Sequence, residues 1–230
     1  MKGLFLALAA AVALPAAVAA QPAPAAGQRD WSRTVAQTAE GGFRMGNPDA
    51  PVKIVEYLSL TCPHCAAFAQ EGSPRLIRSY VRTGRASLEY RNFVLNIADA
   101  AASMLARCGG SDFFFPIADR MLATQSQWTA RIGALSSAQQ AEINALEIGA
   151  RLTRLAEAGG LDAIAAQNGV PAEQGRRCLS DAAALNRLAE MNRVAAAAGI
   201  VGTPTFLING TPVQAHDWAT LEPLIRRAGR

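Results

Sequence analysis

The hydrophobic positions of the chain fall into strand-like and helix-like stretches in a definite order. Val52 to Ser59 is rich in β-branched and aromatic residues and predicts a buried strand. Ser87 to Leu95 predicts a second strand and Thr205 to Ile208 a third. After the third, Asn209-Gly210 is a two-residue hairpin signal, with Thr211 to Gln214 as the returning strand. From about Ile97 to Ala198 alanine dominates and apolar residues recur at helical spacing, as in Ala141, Ile143, Leu146, Ile148, Leu152 and Leu155. Some five or six helices are predicted there, with no fixed-period repeat. A further helix runs from Asp217 to Ala228, and another follows the first strand until Gly72-Ser73-Pro74 breaks or kinks it before Val81. Trp31 to Thr38 predicts a short edge strand, and Gly41 to Pro51 is turn chemistry. Strands and helices that resume after a long helical stretch predict an α/β domain with an all-helical insertion.

One apolar run stands outside this scheme. Leu4 to Leu14, after Met1-Lys2 and before the small residues Ala16 to Ala20, has the form of a secretory signal peptide and is too short to span a membrane. The predicted division is therefore a signal peptide at 1–20 and a flexible, Pro- and Ala-rich lead-in with the possible edge strand at 21–40. The α/β domain then takes 41–96, the helical insertion 97–200 and the returning α/β part 201–230. Export implies an oxidising compartment, most simply a bacterial periplasm, where the four cysteines are expected to pair. The formal net charge is +4, reduced by one when Lys2 leaves, and its carriers are nearly all scattered arginines. No basic stripe with interleaved aromatics is present, so nucleic acid is not an expected partner.

The chemistry concentrates at Cys62-Pro63-His64-Cys65, where the first strand gives way to a helix. Pro63 suits the first helical position, which makes Cys62 the N-cap, with unpaired backbone N–H groups aimed at its sulfur. A thiolate is favoured there. Cys65 lies one turn on, within reach of a disulfide with Cys62. The alternatives are half of a zinc site or a structural bridge. Cys108, Cys178 and His216 are the other soft ligands besides His64, and they form no second close pair, so redox chemistry is the favoured reading and no metal is expected.

With these pieces placed, residues 40 to 228 resemble the DsbA-like thiol–disulfide oxidoreductases of the thioredoxin superfamily. The resemblance is carried by Gly46-Asn47-Pro48-Asp49-Ala50-Pro51-Val52, by Glu56 through Cys65, and by Gly202-Thr203-Pro204-Thr205-Phe206. It implies a thioredoxin fold with the helical insertion between its two halves. Thr203-Pro204 then corresponds to the family's cis-proline loop, which receives substrate backbone beside the sulfurs. Glu56 takes the place of the family's buried acid. Its own sequence context fits, since Glu56 shares a strand face with Ile54 and Leu58, although a strand-end Glu reaching solvent is the bland alternative. Some relatives carry an extra cysteine pair in the insertion, which implies a structural disulfide between Cys108 and Cys178. Thr203 departs from the best-known oxidase form, which has Val there, and is shared with isomerase- and reductase-type relatives.

The expected function is oxidation of cysteine pairs in exported proteins by the Cys62–Cys65 disulfide, through the exposed sulfur of Cys62, with no other cofactor. His64 and the helix N-terminus are expected to stabilise the Cys62 thiolate. A membrane quinone-linked partner is implied for reoxidation. The chain is expected to be a monomer, and the stretch from Gln21 to the first strand is too short for the dimerisation domain of the dimeric isomerases, which argues against that class. A reductase or isomerase for specific exported thiols and a chaperone-like binding module remain alternatives. His216 is assigned to a loop or cap, Phe113-Phe114-Phe115 to packing of the insertion with a role in substrate binding as the alternative, and Trp128 and Trp218 to packing.

Overall fold

The computed structural model describes residues 29–230. The predicted signal segment and residues 21–28 of the lead-in lie outside the described residues. Six strands form one mixed sheet in the order β1-β2-β4-β3-β5-β6: β1 (Val35–Gln37), β2 (Phe43–Gly46), β3 (Val52–Leu58), β4 (Ala86–Asn92), β5 (Thr205–Ile208) and β6 (Thr211–Val213). Only β3 and β4 run parallel; the other neighbours are antiparallel. Strand β3 is central, and every residue of it except Lys53 is buried, Glu56 included, as its β-branched and aromatic content favours.

Helix α1 (Pro63–Glu71) leaves the end of β3, stops at Gly72, and the chain resumes as α2 (Ser73–Leu76) and a π-helical turn at Ile77–Val81. Gly72 is required by close approach: a Cβ there would lie 2.3 Å from the Phe68 ring. The Asn209-Gly210 hairpin forms as expected, with both residues at positive φ (51° and 82°) between β5 and β6. Asp217 caps α11 (Trp218–Ala228) in a reciprocal box with Thr220, which leaves His216 as an exposed loop residue.

Between β4 and β5 lie eight helices, not five or six: α3 (Ile97–Cys108), α4 (Ser111–Ala123), α5 (Gln125–Gly133), α6 (Ser137–Asn144), α7 (Ile148–Gly159), α8 (Leu161–Gln167), α9 (Ala172–Leu179) and α10 (Ala182–Ala197). Several are short and end at one-residue turns, such as Thr124 between α4 and α5 and Gly160 between α7 and α8. The alanine-rich pattern runs across these turns and hides them.

The helical segment shares its core with the sheet. Phe114 of α4 stacks on Phe43 of β2 at 4.1 Å between ring centroids, and Phe115 packs on Tyr90 of β4 at 5.0 Å. Trp128 is buried and donates its indole N–H to the Met121 carbonyl at 2.9 Å, whereas Phe113 is 37% exposed. On the opposite sheet face, Val55 and Tyr57 pack with Ala195 and Ile200.

Other differences from the sequence pattern are local. Strand β2 lies inside the segment read as turns; only Phe43 and Met45 alternate inward, too few to register as a strand between glycines. Trp31–Arg33 is a 3-10 turn capped by Asp30, so the edge strand shrinks to β1. Strand β4 ends at Asn92, three residues early, where Phe93 to Leu95 turn toward α3.

Candidate active site

The end of β3 delivers the chain into Ser59-Leu60-Thr61, and Cys62 then caps α1 with extended backbone angles (φ −82°, ψ 120°) and Pro63 as the first helical residue. No side chain caps this helix, so its leading N–H groups face the Cys62 sulfur. The turn before Cys62 is clamped from the helical insertion. Buried Asp99 of α3 accepts from the Ser59 hydroxyl (2.6 Å) and from the backbone N–H groups of Leu60 (3.0 Å) and Leu95 (2.9 Å). The Gln125 amide of α5 donates to the Leu60 and Cys62 carbonyls, each at 2.9 Å. Sequence reasoning missed both. Their partners in the turn before Cys62 lie about 40 to 65 positions away, and no local signal marks either residue as their clamp.

Cys62 and Cys65 are both free thiols in this structure. Cys62 is only 6% exposed, more covered than the open sulfur expected from its position, while Cys65 is wholly buried. The cover comes from the Thr203–Pro204 loop, which has a cis peptide and places the Thr203 carbonyl 3.2 Å from the Cys62 sulfur as the acceptor of its S–H. The His64 side chain is exposed.

The two thiols are pushed apart electrostatically. Cys62 falls to about 5, because its thiolate accepts from the Cys65 thiol, an effect opposed by burial and reinforced by Thr203 and by the backbone N–H groups of Cys65 and His64. His64 thus acts on Cys62 through its main chain here. The Thr203 hydroxyl is buried with no other partner, which leaves it free to donate to that thiolate. Cys65 moves far upward, because its proton is held by Cys62 and because burial and the nearby Glu56 disfavour its charge.

Glu56 is 2% exposed on β3, so its carboxyl is held well above the usual range, first by burial and then by the charges of Asp119 and Cys62. Asp119 of α4, which the sequence did not single out, rises to about 7 through burial. Elsewhere, Cys108 and Cys178 are joined in a disulfide between the last residue of α3 and the last turn of α9, apart from this constellation. Cys62, Pro63, His64, Cys65, Thr203, Pro204 and Glu56 are therefore gathered at one end of β3. Among the described residues, no group of three His, Cys, Asp or Glu side chains is placed to hold a metal ion. The constellation can exchange a disulfide between Cys62 and an outside sulfur while Cys65 takes or gives a proton inside the protein.

A family model described as thioredoxin matches residues 38–227. A Rickettsia bellii protein provisionally named a protein-disulfide oxidoreductase is 30% identical over 191 residues, 82% of this chain and 65% of that protein. A Rickettsia felis protein with the same provisional name is 33% identical over 186 residues, 80% of this chain and 59% of the relative. The chain thus spans less than two thirds of the length of these relatives. Among solved structures, the protein-disulfide isomerase of Novosphingobium aromaticivorans is 30% identical with a TM-score of 0.76, over 81% of this chain and 96% of that one. Wolbachia pipientis alpha-DsbA1 shares the fold at 21% identity, with a TM-score of 0.65 over 81% and 89% of the two chains.

Proposed function

Because this chain belongs to the DsbA-like protein-disulfide oxidoreductases of the thioredoxin superfamily, we propose that it donates the Cys62–Cys65 disulfide to cysteine pairs of exported proteins. The observation that carries this reading is the split between the two thiols, Cys62 near 5 and Cys65 far above its ordinary value. A thiolate two units below neutral pH favours the reduced form by nearly 3 kcal/mol at most. Solvent screening on the open side of the sulfur brings that to on the order of 2 kcal/mol. At about 1.4 kcal/mol per 30 mV, the couple becomes more oxidising by about 40 mV.

A substrate thiolate attacks Cys62, the less covered sulfur; the Cys62–Cys65 bond breaks, and the electron pair stays on Cys65, which takes a proton from Glu56. The substrate's second thiolate then attacks the substrate sulfur of the mixed disulfide and releases Cys62 as the stabilised thiolate. The cis-proline loop lines the substrate backbone beside Cys62, with Thr203 also holding the thiolate. Around this site stand exposed apolar residues: Val201 (92% exposed) just before the loop, and Leu95 and Ile97 flanking Asn96, which bonds to Thr61. Such a rim suits unfolded polypeptide. A periplasmic location with a membrane quinone-linked reoxidant, and action as a monomer, complete the reading.

A second reading, reductase or isomerase, is favoured by Thr203 before the cis-proline and by the name of the Novosphingobium relative. Mixing the oxidised protein with a reduced two-cysteine peptide separates the two. Transfer to the peptide, seen by mass as loss of two hydrogens with reduction of Cys62 and Cys65, is the expected result. A peptide that stays reduced, alongside efficient reshuffling of a scrambled substrate by the reduced protein, would establish the second reading instead.

A further inference from the structure

The helical insertion brings a second carboxyl to the buried side of the site. The parallel register sets Glu56 of β3 beside Tyr90 of β4, so both project from one face of the sheet. The Tyr90 ring packs on Phe115 of α4, and Asp119 follows Phe115 by one turn on the same side of that helix. Glu56 Oε2 and Asp119 Oδ1 are both buried and have no hydrogen-bond partner. Neither residue belongs to an ion pair among the described residues. Two such orphaned acceptors are costly to bury in charged form, so each site favours a carboxyl that carries a proton.

The groups that bear on this pair are Tyr90, whose hydroxyl is bonded to Ser73, and Cys62 and Cys65 of α1. His64 and Glu71 of α1, which packs against α4, are exposed, and the charges of the other neighbouring elements are engaged elsewhere or turned away. Asp99 holds the Ser59 turn, and Arg107 of α3 donates to Asn92 and the Gly41 carbonyl. Arg44 of β2 projects opposite to the inward Phe43 and Met45, and Asp162 of α8 lines a cleft with Arg176.

We propose that Asp119 is a positioning residue for the proton traffic of Cys65, holding the Glu56 proton in place and exchanging it with solvent. The proposal rests on the disulfide-exchange reading above. Glu56 is sealed in the core, whereas Asp119 of α4 is half-buried, the more accessible of the two residues. When a substrate sulfur displaces Cys65 from Cys62, one S–S bond breaks and another forms. The pair left on Cys65 takes the Glu56 proton, Glu56 is refilled from Asp119, and Asp119 from solvent. Burial raises the titration of both carboxyls, that of Asp119 to about 7, which favours their protonated forms.

The test follows the rate of Cys65 release during exchange of the oxidised protein with reduced glutathione, from pH 5 to 8.5, in wild type, Asp119→Asn, Asp119→Glu, Glu56→Gln and the double variant Asp119→Asn/Glu56→Gln. Asp119→Asn is expected to slow release near neutral pH by about tenfold, less than full loss of a general acid. It should also move the midpoint of the pH profile downward. It should add nothing in the Glu56→Gln background, and Asp119→Glu should restore the midpoint. An unmoved midpoint in Asp119→Asn, or effects that multiply in the double variant, would overturn the relay while leaving disulfide exchange intact. Wild-type protein that forms no mixed disulfide with glutathione would contradict the parent reading. If Asp119→Asn does not fold, carboxyl ¹³C titration of Glu56 in the wild type decides: a two-step curve supports the coupled pair, and a single step at an ordinary carboxylate value overturns it.

Discussion

The two cysteine pairs of this chain sit at opposite kinds of helix end. Cys62 is the N-cap of α1, and Cys65 follows in its first turn, where unpaired N–H groups face a sulfur. Cys108 is the last residue of α3, and Cys178 lies in the last turn of α9, where unpaired carbonyls gather. The Cys108 sulfur lies 3.5 Å from the Gln174 carbonyl oxygen, and the Cys178 sulfur 3.9 Å from that of Cys108. A thiolate is stabilised at the first kind of end and opposed at the second. The same element, placed a helix length apart, thus yields one pair poised to open and one that stays closed. Cysteine count says nothing of this. Position along the helix decides it.

The strongest way to break the comparison is to remove the closed pair. Joining positions 70 residues apart stabilises the fold by about 4 kcal/mol in the chain-entropy picture. Replacing Cys108 and Cys178 by alanine together should therefore lower unfolding stability by about that much, read by urea denaturation. The reduction potential of Cys62–Cys65 should stay unchanged. A loss under about 1 kcal/mol, or a shifted potential, would mean that the two pairs are not the separate devices described here.

What the sequence disclosed depended on how local the signal was. The β3 strand, the Cys62-Pro63 cap, the Asn209-Gly210 hairpin and the last helix each need only a few neighbouring residues, and all four form. Strand β2 was missed because its two inward residues are too few for a period. Asp99, Gln125 and Asp119 were missed for a different reason. Their roles exist only after the insertion folds back onto the sheet, and an Asp or Gln within a helical pattern reads as solvent-facing until then. The burial of Cys62 under the Thr203–Pro204 loop is of the same kind, a contact across 141 residues.

A smaller effect sharpens the comparison within the open pair. Below neutral pH in the reduced protein, iodoacetamide should label Cys62 about tenfold or more faster than an ordinary thiol, its larger thiolate fraction being partly offset by the lower nucleophilicity of a low-pKa sulfur. The sign follows from the depressed value: the rate should hold as pH falls from 8 to 6 and halve near 5, where the thiolate is lost. Cys65, buried and driven upward, should stay unlabelled. Labelling of Cys65 at an equal or greater rate, mapped by mass spectrometry, would reverse the roles assigned to the two sulfurs.

The central claim is that the helix N-terminus, Cys65 and Thr203 together turn a thioredoxin-type couple into an oxidant. Its most direct test is the reduction potential of Cys62–Cys65, measured by equilibration with glutathione at pH 7. Thioredoxin's couple stands at about −270 mV, and the thiolate stabilisation derived above predicts a value about 40 mV above it. A potential at or below that of thioredoxin would contradict the account and return the protein to the reductants.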